Sequence, residues 1–178
     1  ALDHPAQTRA LDLGGSVRAG IGALLAAADA SANGPALAAM SDLRQGAPEG
    51  AAEQSGGDGA AAYLLGNGKI IAEIETMYSE TLEHQALWRL PGEKFSRVWE
   101  ERFALTQVYV PLLTAGGQGV LKKAGLTGAD IARAVIDAPN PRAAAGIGKA
   151  LGISPDKFVD PLLGSVGPLQ APFFLAYG

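Results

Sequence analysis

The feature that most constrains the fold is a glycine-rich turn that leads into a helix of small and apolar residues. The turn has the sequence LGGSVR at residues 13–18, and AGIGALLAAADA follows it. Ser16 is predicted to be the N-cap, because serine oxygens accept hydrogen bonds from the first free N–H groups of a helix. Apolar residues lie on nearly all sides of this helix, which predicts that it is buried between other layers.

Composition excludes several classes of site. The chain of 178 residues contains no cysteine, so disulfides, thiolate metal sites and cysteine nucleophiles are absent from it. Two histidines make a histidine metal cluster improbable, and we expect no metal and no cofactor. A net charge of −4 with scattered Lys and Arg argues against nucleic acid as a partner. No stretch reaches the roughly 18 apolar residues of a membrane helix, and we expect a cytoplasmic protein.

The order of helical and extended patterns predicts an α/β fold in which helices cover a mixed sheet. The 24 glycines predict close packing of helices on the sheet. Asn67 and Gly68 are the strongest hairpin signal. The predicted strands are residues 35–40, 60–65, 69–77 and 134–136, of which the middle two would form that hairpin.

A long helix is predicted from Ser96, with a kink at Pro111 and an end at Gly125. Arg97 and Glu101 would form an ion pair on its surface. Trp88, Trp99 and Phe103 are expected to pack in the core, and His84 to lie on the surface. Shorter elements follow: a capping box from Thr127 to Asp130, a helix over 142–151 and a helical turn after Ser154.

Two turns are the places to look for a ligand. In open α/β sheets, ligands bind beyond the carboxyl ends of the strands. Residues 14–18 and 137–140 occupy such positions in the predicted order. Asp137 and Asn140 flank a proline, a pattern that is also ordinary turn chemistry.

Five motifs occur in a characteristic order, and GGDGAAAYLLG and APNPRA are the most specific parts of them. This set resembles the thiolase superfamily, in particular its hydroxymethylglutaryl-CoA synthase-like and ketoacyl-ACP-synthase-III-like branch. Members of that branch are often partnered or fused with an OB-fold acyl-CoA-binding module. The motifs are LGGSVRAGIGALLAA, MSDLRQGAPEGAAEQSGGDGAAAYLLG, LWRLPGEKFSRVWEERF, LKKAGLTGADIARAVIDAPNPRA and DPLLGSVG.

The resemblance implies a thiolase-like layered fold, with helices between two mixed sheets and two halves related by pseudo-twofold symmetry. The chain would cover a partial thiolase-like domain over residues 1–178. Residues 1–77 would be the end of the first half and the start of the second, and 78–178 the remainder of the second half. The connections at residues 33–35 and 167–168 are shorter than the corresponding segments in the family. We therefore expect family segments to be missing from the sequence at these two places.

The resemblance also assigns the chemistry of acyl-thioester condensation, and this chain departs from it at the reactive positions. The family's cysteine falls on Val17, which cannot be acylated, and its histidine falls on Asp137. Asn140 retains the family's asparagine, and these two polar residues are the candidate catalytic pair. Ser16 is better explained as an N-cap than as a replacement nucleophile. The implied substrate-binding positions are Gly15, Ser16, Val17 and Gly167.

Three hypotheses follow for the function. The first is a non-catalytic subunit that binds acyl-CoA and supports a thioester-condensing complex. Its expected partners are a thiolase-fold homo- or heterodimer and an OB-fold or zinc-ribbon acyl-CoA-binding protein. The second is an enzyme that condenses, decarboxylates or hydrolyses acyl-CoA without an acyl-cysteine, using Asp137 and Asn140. The third is a purely structural interaction subunit.

Overall fold

The computed structural model describes residues 5–160, except 17, 44–45, 51–52, 55, 86, 96 and 139. Helices and strands alternate along the described chain, although the strands predicted over 69–77 and 134–136 do not form. A π-helical stretch, Leu105–Tyr109, joins the second helix to the third. The helices are α1 (Ala19–Ala30), α2 (Glu101–Ala104), α3 (Val110–Ala124) and α4 (Pro141–Leu151), and the strands are β1 (Ala36–Asp42), β2 (Gly59–Leu65), β3 (Leu87–Trp88) and β4 (Arg97–Val98).

The N-terminal layer consists of α1, β1 and β2. The two strands pair antiparallel, from Ala36 opposite Leu65 to Asp42 opposite Gly59, and α1 packs against β1. Ala27 and Ala38 are its buried apolar residues within the described part of the chain. Ile21 is 38% exposed and Leu25 36%. The strand predicted over 35–40 is thus confirmed, but the prediction that α1 is buried on all sides is wrong for the residues described.

The predicted hairpin is wrong. β2 pairs with β1, and residues 72–85 have no regular secondary structure. Gly68 has a φ of 139°, whereas Asn67 is not among the residues with positive φ. A two-residue type I′ turn needs positive φ at both central positions, so this Asn-Gly pair does not reverse the chain into a neighbouring strand.

The long helix begins at Glu101 rather than at Ser96, because the Glu100 side chain caps it. That carboxylate accepts hydrogen bonds from the N–H groups of Arg102 at 2.9 Å and Phe103 at 2.7 Å. The kink predicted at Pro111 stays a prediction, and Pro111 lies in the first turn of α3, directly after the π-helical stretch. A π-helical stretch changes the local hydrogen-bond register, which accommodates the missing N–H of a proline.

The ion pair predicted between Arg97 and Glu101 is wrong. Arg97 belongs to β4, and its guanidinium pairs with Glu93 instead. The bonds from Arg97 and from the Leu90 N–H lower the pKa of the Glu93 carboxyl. The end of the helix is as predicted, since Gly125 adopts a left-handed conformation with a φ of 70° and its N–H bonds to the carbonyls of the last turn.

The C-terminal layer consists of α3, α4 and the segment 126–160, and its elements pack through glycines. A Cβ atom on Gly117 would lie 2.5 Å from Leu151 Cδ1, and one on Gly148 would lie 2.0 Å from Phe158 Cζ. Ile147, the residue before Gly148 in α4, is 1% exposed. Gly117 thus brings two helices together, and Gly148 brings α4 onto Phe158, which forms an isolated β-bridge with Ala134. Close packing of glycines in helices on a sheet stays a prediction.

The segment after α3 follows the predicted local signals. Thr127 and Asp130 form the capping box of the short turn Gly128–Asp130, and the Thr127 N–H and hydroxyl both bond to the Asp130 carboxylate. The strand predicted over 134–136 is reduced to one parallel bridge between Ala134 and Phe158. Within the described residues, no helix has the length and apolar character needed to cross a membrane.

Candidate functional site

A cleft of about 730 Å³ lies between two helical walls. One wall runs from α2 through the π-helical stretch into α3, and the other is the N-terminal part of α4. Its volume falls within the range of small-molecule sites in proteins. The described residues that line it are Glu100, Glu101, Arg102, Leu105, Thr106, Val110, Asn140, Pro141, Arg142, Ala143 and Gly146.

Asn140 joins the two walls of this cleft. As the N-cap of α4, it accepts a hydrogen bond at Oδ1 from the Ala143 N–H at 2.9 Å. Its Nδ2 donates to Glu101 Oε1 at 3.2 Å, across 39 residues of sequence. The helix forms here because Pro141 sits in its first turn, where the N–H that proline lacks would have no helical partner.

The acidic side chains around the cleft have hydrogen-bond partners, whereas its arginines have no ion-pair partner among the described residues. The Glu100 carboxylate caps α2, and the Glu101 carboxylate accepts from Asn140. Arg102 and Arg142 also line the cleft, and neither guanidinium has an ion-pair partner among the residues that the structure describes. Guanidinium groups bind phosphates through several directed N–H bonds. The cleft therefore offers donors for an anionic ligand.

The turn at residues 13–18 is held by local bonds. The Ser16 hydroxyl accepts from the Arg18 N–H at 3.2 Å, and the Ser16 carbonyl accepts from the Ala19 N–H at 3.0 Å. α1 begins at Ala19 with Arg18 in the N-cap position, so the prediction of Ser16 as N-cap is wrong. Gly15 has a φ of 72°, a conformation that favours glycine.

Of the predicted site residues, the described cleft lining includes only Asn140. Asp137 is exposed in the turn that precedes α4. Gly15 and Ser16 are exposed as well, and the described hydrogen bonds of Ser16 stay within its own turn. Val17 and Gly167 lie outside the described residues. A site shared by the two turns stays a prediction, whereas the contact of Asn140 with Glu101 is a finding.

Sequence patterns did not reveal Glu101, Arg102 and Arg142 as cleft residues. One available signal was the acidic pair at 100–101, since acidic side chains are favoured at the start of a helix. With this signal, the helix would have been predicted to start at its observed position. Arg97 would then lie outside the helix, and no ion pair with Glu101 would have been predicted. The contact between Glu101 and Asn140 has no comparable signal, because the two residues are far apart in the chain.

The aromatic residues form a surface cluster instead of a core. Trp99 contacts Trp88 with ring centroids 5.5 Å apart and Phe103 with centroids 6.0 Å apart. Trp99 is 48% exposed and Phe103 47%, so the prediction of core packing is wrong for both. His84 is half-buried beside Trp99. Within the described residues, no group of three or more metal-binding side chains is placed to hold an ion.

The similar proteins of known name include hydroxymethylglutaryl-CoA synthases. No family model matches the chain. It is 30% identical over 127 residues to hydroxymethylglutaryl-CoA synthase of Methanopyrus kandleri, a match that covers 71% of this chain and 36% of the relative. The chain thus spans about a third of the length of that relative.

Two solved structures share the fold. The first is 3-oxoacyl-(acyl carrier protein) synthase III of Pseudomonas aeruginosa PAO1, with a TM-score of 0.70 and 19% identity over 90% of this chain and 54% of the other. The second is MvaS in complex with 3-hydroxy-3-methylglutaryl coenzyme A, also with a TM-score of 0.70 and 19% identity, over 97% of this chain and 51% of the other. The fold is therefore thiolase-like, as predicted, and the chain covers part of it. In sequence the chain is similar to hydroxymethylglutaryl-CoA synthases, and in fold it is similar to these two solved structures.

Proposed function

We propose that this chain binds acyl-CoA in the cleft between α2 and α4 and forms no acyl-enzyme through its own side chains. The observation that carries the proposal is that one cleft is lined by the Asn140 amide and by two guanidinium groups. Neither guanidinium group has an ion-pair partner among the described residues. An amide N–H is suited to a thioester carbonyl and guanidinium groups are suited to phosphates. Acyl-CoA contains both groups.

The absence of an acyl-cysteine rests on the sequence. An acyl-cysteine needs a thiol, and none of the 178 residues is cysteine. The position that the family resemblance assigns to the nucleophile is Val17. In this proposal the chain is a non-catalytic subunit that supports a thiolase-fold partner, with an OB-fold or zinc-ribbon protein as a further candidate partner.

Calorimetric titration tests the binding site. Gly146 lines the cleft, and a Cβ added there meets no atom within 4 Å. Gly146→Leu is therefore expected to fill the cleft and weaken acetyl-CoA binding at least tenfold without a clash at the backbone. Ala145→Leu is the matched control, because Ala145 is an exposed position of the same helix outside the described lining and should retain affinity.

A second titration tests the role of the arginines. Arg142→Ala is expected to weaken acetyl-CoA binding by about 10- to 100-fold, since a hydrogen bond to a charged group contributes roughly 1.5–3 kcal/mol. The same variant should bind S-acetylpantetheine, which lacks the nucleotide phosphates, as the unmodified chain does. An equal loss for both ligands would show that Arg142 does not bind phosphate.

Turnover distinguishes this proposal from its active alternative. The purified chain is incubated with acetyl-CoA and acetoacetyl-CoA, and release of free CoA is followed. We expect none above the buffer rate. Release that disappears in Asp137→Ala would overturn the non-catalytic role and favour an enzyme that uses Asp137 and Asn140. The absence of binding heat for every acyl-CoA would leave only a structural subunit.

A further inference from the structure

We infer that Glu101 is a positioning residue: it orients the Asn140 amide so that one N–H of that amide faces the carbonyl oxygen of a bound acyl thioester. The inference rests on the proposed function of the cleft and goes beyond it, because it assigns a residue that selects acylated over free CoA. Glu101 does not itself contact the ligand in this arrangement.

The bonds of the Asn140 side chain determine what it can still offer. An amide has two N–H donors and one oxygen with two lone pairs. The oxygen Oδ1 faces the Ala143 N–H, and one N–H of Nδ2 is directed to Glu101 Oε1. These two bonds fix the plane of the amide and identify its oxygen and nitrogen ends. The second N–H of Nδ2 has no hydrogen-bond partner among the described residues and is available to a ligand in the cleft that Asn140 lines.

The position of Glu101 explains why it can set this orientation. It is the first residue of α2, on the wall opposite α4, so its bond to Asn140 spans the cleft. Without it, the N-cap bond alone would hold the amide at its oxygen end, and Nδ2 would be free to swing. A donor that is held in place before the ligand arrives costs less to order on binding.

This arrangement has a measurable consequence for ligand choice. Acetyl-CoA has a carbonyl oxygen that accepts the second N–H, whereas free CoA has none. We therefore expect acetyl-CoA to bind more tightly than CoA by about 3- to 10-fold, the range of one net hydrogen bond. Glu101→Ala should remove most of this preference.

The experiment measures dissociation constants of both ligands for the unmodified chain, Glu101→Ala and Glu101→Gln. Glu101→Gln should retain most of the preference, because its amide oxygen can accept the same bond from Nδ2. Glu73→Ala, an exposed glutamate outside the described lining, is the control for loss of an acidic residue. Unfolding curves establish that each variant is folded.

The infrared carbonyl stretch of bound acetyl-CoA tests the role of Glu101 directly. It would not change if Glu101 only stabilised the fold. With acetyl-CoA labelled with ¹³C at the thioester carbonyl, the bound carbonyl stretch should lie below that of the free ligand, since a hydrogen bond weakens the C=O bond. In Glu101→Ala it should return toward the free value, and in Glu101→Gln it should stay low.

The outcomes separate the two proposals. If the unmodified chain binds neither ligand, the proposed function fails and the role of Glu101 fails with it. If it binds both with equal affinity, or if Glu101→Ala weakens both equally and leaves the carbonyl stretch unchanged, acyl-CoA binding stands and the positioning role of Glu101 is overturned.

Discussion

The N-terminal and C-terminal layers are both rich in small residues, yet only one of them uses these residues to bring elements together. In the C-terminal layer, Gly117 and Gly148 lie directly under the side chains of Leu151 and Phe158. In the N-terminal layer, a Cβ on Gly22 of α1 would lie 3.4 Å from Leu13 Cδ2, which is an ordinary van der Waals distance. Small residues stabilise a layer when a larger partner fills the space that they leave.

The largest expected difference between the layers comes from their isoleucines. Ile147→Ala should cost about 2–5 kcal/mol, since Ile147 is 1% exposed and the shortened side chain leaves a cavity. Ile21→Ala should cost less than about 1 kcal/mol, because Ile21 is already exposed to solvent and alanine favours the helix. Urea unfolding of both variants measures the free energies. Equal losses would show that α1 is as well packed as α4.

A second pair of variants examines the glycine contacts within α4. Gly148→Ala should destabilise the fold by about 1–3 kcal/mol, because its Cβ would overlap the Phe158 ring. Gly146→Ala should instead stabilise it by up to about 1 kcal/mol, since its Cβ meets no atom within 4 Å and alanine is the better helix former. Thermal unfolding measures both. A gain in stability for Gly148→Ala would mean that Phe158 moves aside without cost.

Signals that act within a few residues were predicted well from the sequence. Gly125 ends α3, and Thr127 and Asp130 cap the next turn, because each bond involved joins residues at most five apart. The hairpin at Asn67 and Gly68 failed for the opposite reason. A strand pairs with the partner that the whole fold supplies, and β1 is that partner for β2.

The candidate site was predicted in part for the same reason. The family resemblance led to Asn140, and its N-cap bond lies within its own helix. The contact with Glu101 depends on the packing of two walls that are 39 residues apart in the chain. Sequence patterns placed Glu101 beside Arg97 on one helix, because they give the helix start only to within a few residues.

A smaller effect is expected on the exposed face of β2. Leu64 is 77% exposed, so Leu64→Thr should change the free energy of unfolding by no more than about 0.5 kcal/mol. Threonine has a high propensity for strands, so the substitution should not weaken the strand itself. Any loss of stability would then report burial of the Leu64 side chain. Urea unfolding and sedimentation velocity are measured together. A larger loss, or a change in oligomeric state, would show that this face of the N-terminal layer is covered in solution.

The smallest effect expected is a pH dependence that belongs to the C-terminal layer. The hydroxyl and N–H of Thr127 lower the pKa of the Asp130 carboxyl. Since the folded pKa is the lower one, the stabilisation is complete above the ordinary aspartate pKa of about 3.9 and is lost as the pH falls through the folded value. Asp130→Asn should therefore show a shallower loss of stability than the unmodified chain between about pH 5 and about pH 2.

The matched control is Asp29→Asn, which removes an exposed carboxyl from α1 in the N-terminal layer. Urea midpoints at each pH give the slope for every variant. If the capping box supplies the pH dependence, Asp130→Asn flattens the slope more than Asp29→Asn does. Equal slopes for Asp130→Asn and the unmodified chain would mean that the Thr127 bonds form equally well in the unfolded chain. The acid response would then not distinguish the two layers, and the difference between them would rest on the burial of Ile147 and the packing at glycines.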